Sequence, residues 1–142
     1  MRVLVVCLGN ICRSPAGEAV LRTLAPDWQV DSAGTGNWHV GKPPYGPMQD
    51  AAAARDLDLG GLRARQFSAR DFSDFDLILA MDAQNRADIE RLRPNGNKTP
   101  VRLFAEGDVP DPYYTRDFDG ALDIIEDAAR KLVSDTNVQP RG

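Results

Sequence analysis

Cys7 and Arg13 stand six positions apart near the start of the chain, with Leu8, Gly9, Asn10, Ile11 and Cys12 between them and Ser14 directly after. A thiol is a nucleophile as its thiolate, a form that helix N-termini and nearby cations favour. An isolated cysteine at a strand end is most often just a small buried side chain. This one has a guanidinium and a helix start close by in sequence. An arc of that length can turn its backbone N–H groups onto one tetrahedral anion. An arginine closing the arc can grip two of the anion's oxygens with a planar fork, which lysine lacks. Gly9 permits a positive φ and Asn10 tolerates one, whereas an arginine at a helix start is poorly placed unless an anion joins it. Types and spacing together describe a loop that holds an oxyanion beside a thiolate able to attack it.

Such a loop needs a strand to deliver it and a helix to point at it. Arg2 to Val6 reads as a strand whose β-branched, apolar run, Val3 to Val6, is of the kind buried on both faces of a sheet. Ser14-Pro15 predicts a helix with Ser14 as N-cap and Pro15 at the first position, its inner face formed by Ala16, Ala19, Val20, Thr23 and Leu24, ending at Pro26. Trp28 to Ser32 is a weaker strand, and Ala33 to Gly46 a long Gly- and Pro-rich loop of the length that tends to be functional. Met48 to Leu57 reads as a helix stopped by Gly60-Gly61, and Phe67 to Phe72 as one helical turn capped by Ser68. Asp76 to Met81 is a second buried strand, followed by a helix from an Asp82 cap to about Arg93. Val101 to Phe104 is a short strand, and Glu106 to Tyr114, with Pro110 and Pro112, a loop. Asp117 opens a last helix with the apolar stripe Phe118, Leu122, Ile125, Ala129 and Leu132, and the polar tail from about residue 135 is expected to fray. Alternating strands and helices imply an α/β fold: a doubly wound sheet of about four parallel strands, flanked by helices on both faces, with ligands beyond the strands' carboxyl ends.

At 142 residues, 42% hydrophobic and 27% charged, the chain fits one domain with a full core. A net charge of −4 and scattered Lys and Arg offer no basic footprint for nucleic acid or an anionic membrane. The N-terminal apolar run is too short for a signal peptide or a span. Two cysteines and one histidine form neither a disulfide framework nor a structural zinc set, so we expect a reducing, cytoplasmic setting and no metal.

The full string VCLGNICRSP, from Val6 to Pro15, resembles the signature of the low-molecular-weight protein tyrosine phosphatases. Further blocks in the same order are similar to that family's: SAGTGNWHVG at 32–41, ARQ at 64–66, FDLILAMD at 75–82 and DPYY at 111–114. The resemblance implies that residues 1–142 form a single phosphatase domain, of bacterial type, hydrolysing phosphotyrosine through a cysteinyl-phosphate intermediate without a cofactor. It implies Cys7 as nucleophile, the loop Leu8, Gly9, Asn10, Ile11, Cys12, Arg13 and Ser14 around the phosphate, and Asp111 as general acid and later base. It makes Trp38, Tyr113 and Tyr114 the walls of the substrate pocket. Ser14 would bond the Cys7 sulfur, Asn10 would hold a left-handed turn, and Ser32 would support the loop from behind. Cys12 would be a redox partner able to trap oxidised Cys7 as a disulfide.

The chain departs from the family at Leu62, where many members carry a histidine that orients the loop's polar network, and at Pro44-Tyr45-Gly46-Pro47, where many carry Asp-Pro-Arg. Other readings of the loop are an arsenate reductase of the same fold and a non-catalytic phosphotyrosine-binding module. A thioredoxin-coupled reductase would need further cysteines beyond Cys12, so that reading requires an external thiol. Expected partners are phosphotyrosine proteins, including a cognate bacterial tyrosine kinase, for a monomer or weak dimer.

Overall fold

The computed structural model describes residues 1–137. Along the chain run β1 (Arg2–Cys7), α1 (Arg13–Leu24), β2 (Gln29–Gly34), α2 (Gly46–Ala53), α3 (Asp71–Asp74), β3 (Leu77–Ala80), α4 (Ala83–Glu90), β4 (Val101–Leu103), α5 (Pro112–Thr115) and α6 (Phe118–Asn137). The strands form a four-stranded sheet in the order β2-β1-β3-β4, and every pairing is parallel. Parallel neighbours cannot be joined by tight turns, so each crossover carries helix or long loop over a face of the sheet.

The alternation of β1 decides which side chains meet which helices. Val3, Val5 and Cys7 share a core with Ala16, Val20 and Leu21 of α1 and with Leu122, Ile125 and Ala129 of α6. Leu4 and Val6 pack on the opposite face with Phe67, Phe72 of α3 and Ile89 of α4. The sheet is therefore covered on both sides, the doubly wound arrangement expected. The β1 run is β-branched because both of its faces are buried and polar alternation has no place in it.

Several boundaries differ from the sequence expectation. Arg13, not Pro15, begins α1, and Cys12 occupies the cap position with no side-chain cap bond. Ser14 is inside the helix because its hydroxyl is engaged by the Cys7 loop instead. On the helix's inner face Leu21 is buried where Leu24 is exposed, a one-turn pattern that Pro26 had drawn too far toward the C-terminus. β2 continues to Gly34 through its pairing with β1. α2 starts at Gly46 and ends near Ala53, and the chain turns at Asp56 in a left-handed conformation (φ 62°) well before Gly60. Asp71 organises the turn at α3: its carboxylate accepts the Ser68 N–H at 2.9 Å, the reverse of a Ser68 cap. Asp82 does cap α4, accepting from Asn85 N at 2.7 Å. The 106–114 stretch closes with the one-turn helix α5, started by Pro112 behind an Asp111 cap. α6 stays helical to Asn137, past the point where fraying was expected; the rest of that tail lies outside the described residues.

Leu122 is fully buried where α6 meets the core. Leu122→Ala is expected to lower stability by about 2–5 kcal/mol in urea denaturation. A loss under about 1 kcal/mol would show that α6 does not seal this face.

Candidate active site

Each strand ends at the same edge of the sheet, and the loops that follow β1, β2, β3 and β4 converge there. The loop after β1 is pinned along its length. Thr35 N donates to the Cys7 carbonyl at 2.9 Å, Gly36 N to Leu8 O at 2.9 Å and Tyr45 N to Ile11 O at 2.8 Å. Gly34 must be glycine for this contact, because a Cβ there would lie 2.8 Å from the Leu8 carbonyl oxygen.

At the loop's centre Asn10 is left-handed (φ 57°) and buried. Its Oδ1 accepts the Arg65 backbone N–H at 3.0 Å, which fixes which way the amide faces. Its Nδ2 then donates to Ser14 Oγ at 2.7 Å and to Ser32 Oγ at 3.0 Å. With those acceptor sites used, the Ser14 hydroxyl hydrogen is free to point at Cys7 Sγ, 3.0 Å away. Asn10 N also donates to Cys7 Sγ, at 3.2 Å. The sulfur thus sits among donors, the surroundings a thiolate requires.

The Ser32 hydroxyl donates to Glu18 Oε1 at 2.7 Å. Glu18 Oε2 meets Arg22 Nη2 at 2.7 Å, an ion pair without hydrogen-bond alignment. Burial pushes the Glu18 carboxyl above its ordinary value, with Ser32 and Arg22 pulling against it. An unbroken chain of polar contacts therefore runs from Cys7 through Ser14, Asn10 and Ser32 to a buried carboxyl.

Arg13 is buried at the first position of α1. Its Nη1 donates to Asp82 Oδ2 and to the Val109 carbonyl, both at 2.8 Å, and its Nη2 lies 3.5 Å from Asp111 Oδ2. Burial opposes its charge, but Cys7, Asp82 and Asp111 outweigh that and hold the guanidinium above its ordinary pKa. Its Nε is buried and meets no acceptor among the described residues. The Cys12 thiol, in contrast, is pushed up to about 12, by burial first and then by Cys7 and Asp111.

A cleft of about 330 Å³ opens over the loop, with Cys7, Leu8, Gly9, Ile11 and Cys12 along its floor. Asp111, Trp38, Tyr113 and Tyr114 line it as well, Trp38 and Tyr114 largely exposed at its mouth. Asn10, Arg13 and Ser14 are buried and do not line the cleft, and Arg13 approaches it through Nη2, beside Asp111. Asp111 caps α5, its Oδ1 accepting Tyr113 N at 3.1 Å, which leaves Oδ2 toward Arg13.

Four contributors were not assigned a part in the site from sequence. Asp82 was read only as a cap, yet one oxygen caps α4 and the other binds Arg13; an Asp at the end of a buried strand was the available signal. Glu18 enters through its bond with Ser32. His39 lines the cleft, its ring 3.1 Å from where a Cβ on Gly9 would stand. Arg65 grips Asp31 at 3.1 Å and Asp71 at 3.0 Å while its backbone holds Asn10, a pairing across distant segments that sequence spacing does not reveal.

The family model described as low molecular weight phosphotyrosine protein phosphatase matches residues 2–141. The low molecular weight protein-tyrosine-phosphatase YfkJ of Bacillus subtilis (strain 168) is 38% identical over 145 residues, 93% of this chain and 93% of that one. The crystal structure of YfkJ superposes with a TM-score of 0.89, covering 98% of this chain and 97% of that one. Vibrio vulnificus Wzb in complex with benzylphosphonate superposes with a TM-score of 0.88 at 31% identity, covering 94% and 97%.

Because the Glu18 pKa is raised, the folded chain holds that proton more tightly than the unfolded chain. The resulting stability is fully present below the unfolded carboxyl value of about 4.3 and is lost as pH rises through the folded value. In urea denaturation at increasing pH, wild type is expected to lose stability relative to Glu18→Gln across that window. A difference that stays flat, or grows in favour of wild type, would overturn the assignment.

Proposed function

The chain belongs to the low molecular weight phosphotyrosine protein phosphatase family, and we propose that Cys7, Arg13 and Asp111 carry its hydrolysis of phosphotyrosine. The observation that carries this reading is the 3.5 Å approach of Asp111 to Arg13, which sets a carboxylate from the far end of the chain beside the Cys7 loop.

Cys7 Sγ attacks phosphorus opposite the phenolic oxygen. The S–P bond forms as the P–O bond to tyrosine breaks, and protonated Asp111 gives its hydrogen to the departing oxygen. Arg13, through the Nε that has no protein partner and through Nη2, binds equatorial oxygens together with the loop amides. In the second step Asp111 takes a proton from water, the water oxygen attacks phosphorus, and Cys7 leaves as thiolate with the Ser14 hydroxyl and the Asn10 amide facing it. Leaving-group ability at sulfur thus depends on the same donors that favour attack.

The cleft supports an aromatic ester. Trp38, Tyr113 and Tyr114 supply ring surfaces on which a phenyl group can pack, worth about 0.5–1.5 kcal/mol per ring pair beyond area burial. The Wzb structure holds benzylphosphonate, itself an aromatic ring joined to a phosphorus oxyacid. Substrates would be phosphotyrosine proteins, a cognate tyrosine kinase among them, met by a monomer or weak dimer. Cys7 and Cys12 are both free thiols, which suits work in the reducing cytoplasm. Among the described residues no helix is long and apolar enough to cross a membrane. Ser32 would serve by supporting Asn10, and Cys12, on the same loop, by trapping oxidised Cys7 as a disulfide.

Wild type is expected to hydrolyse phenyl phosphate at mildly acidic pH, and an absence of turnover would sink the reading. Cys7→Ser should leave no turnover and no phosphoenzyme in rapidly quenched samples by mass spectrometry. Asp111→Asn should lower kcat by about 10²–10⁴-fold.

A further inference from the structure

Tyr45 lies in the stretch where the chain departs from its family's usual Asp-Pro-Arg run, and it touches both halves of the reaction centre. Its backbone N–H donates to Ile11 O at 2.8 Å, within the loop between Cys7 and Arg13. Its ring packs against that of Tyr113, with centroids 5.2 Å apart and planes at 57°. Its hydroxyl accepts from Arg116 Nη1 at 3.1 Å. The same guanidinium lies 5.2 Å from the Tyr45 ring centre and 5.1 Å from that of Phe118, so it sits against both rings, themselves neighbours at 6.1 Å.

Tyr113 and Arg116 bracket α5, the four-residue helix that Asp111 caps. A helix of one turn has no stability of its own, since nucleation costs more than its few hydrogen bonds return. Its start is anchored by the buried Pro112 and, just before it, by Val109 N donating to Met81 O at 2.8 Å. Its other end leaves in a left-handed turn at Arg116 (φ 65°), and that end is held through Tyr45 and Phe118. Movement of α5 would carry the Asp111 carboxylate with it, because the cap bond joins Asp111 to Tyr113 N.

We propose that Tyr45 is a positioning residue for the general acid: it ties the turn bearing Asp111 to the loop bearing Cys7, so that acid and nucleophile keep a fixed separation. This rests on the assignment of Asp111 as the acid. A misplacement of about 1 Å can cost about 10²-fold in rate, and misplacing an acid costs most where the leaving group most needs a proton.

The test measures kcat/KM, which reports the steps up to departure of the phenolate and not the later water attack that Asp111 also assists, with phenyl phosphate, whose leaving group needs protonation, and with 2,4-dinitrophenyl phosphate, whose leaving group does not. Tyr45→Ala is expected to lower kcat/KM on phenyl phosphate by about 10–100-fold and on the dinitrophenyl ester by less than about 2-fold. Tyr45→Phe keeps the ring against Tyr113 and Arg116 and should stay within about 3-fold of wild type on both. Arg116→Ala, at an exposed position, should reproduce the leaving-group signature of Tyr45→Ala and carries the test if that variant does not fold. An equal fall in kcat/KM on both esters, or no change on either, overturns the proposal. Asp111→Asn run in parallel separates the two layers: if it loses no more on phenyl than on dinitrophenyl phosphate, the acid assignment itself fails. If it shows the steep difference and the Tyr45 and Arg116 variants do not, the proposal alone falls.

Discussion

A buried guanidinium constrains this molecule more than any other group. Removing a charge such as Arg13 from water costs several kcal/mol unless partners surround it. Asp82 after β3, the Val109 carbonyl after β4 and Asp111 before α5 provide them. These partners bring two loops, the one after β3 and the one between β4 and α5, to the same edge of the sheet, so satisfying the arginine also gathers the groups that face Cys7. The strand order makes this reach possible, since β1 lies directly beside β3 and the end of one strand abuts the end of the other.

Behind the loop a second set of contacts fixes direction rather than position. The Arg65 N–H orients the Asn10 amide, the amide uses acceptor sites on both serines, and their remaining hydrogens are left for Cys7 and Glu18. Polarity is thereby imposed along the line by groups that can only donate or only accept. The family's usual histidine is absent at Leu62, which packs against the core instead. Here the line ends on Glu18 with Arg22 beside it.

The fold class was legible because its signals are strong and local. The apolar runs at β1 and β3, the 3–4 spacing of the α6 stripe and the capping Asp82 each have few alternatives. The start of α1 was misjudged because Ser14-Pro15 satisfies the rule for a helix start, while the serine hydroxyl is claimed by contacts with Cys7 and Asn10. α5 was missed for a related reason: prolines on both sides of Asp111 suggest a loop, but Pro112 is well suited to a first helical position. For the site, the arc from Cys7 to Arg13 could be read from types and spacing, whereas Asp111, Trp38, Tyr113 and Tyr114 came from resemblance. Glu18, Arg65 and Tyr45 act through partners distant in sequence, and Asp82, legible as a helix cap, gives its second oxygen to Arg13 from across the fold.

The strand that carries Cys7 is the first made and one of the two innermost in the sheet. A ribosome releases β1 and α1 long before β3 can flank the one or α6 can cover the other. Because the core beside Cys7 includes Leu122, Ile125 and Ala129 of α6, the nucleophile near one end of the chain is walled in part by the helix nearest the other, and its surroundings are complete only when the two ends of the sequence have met.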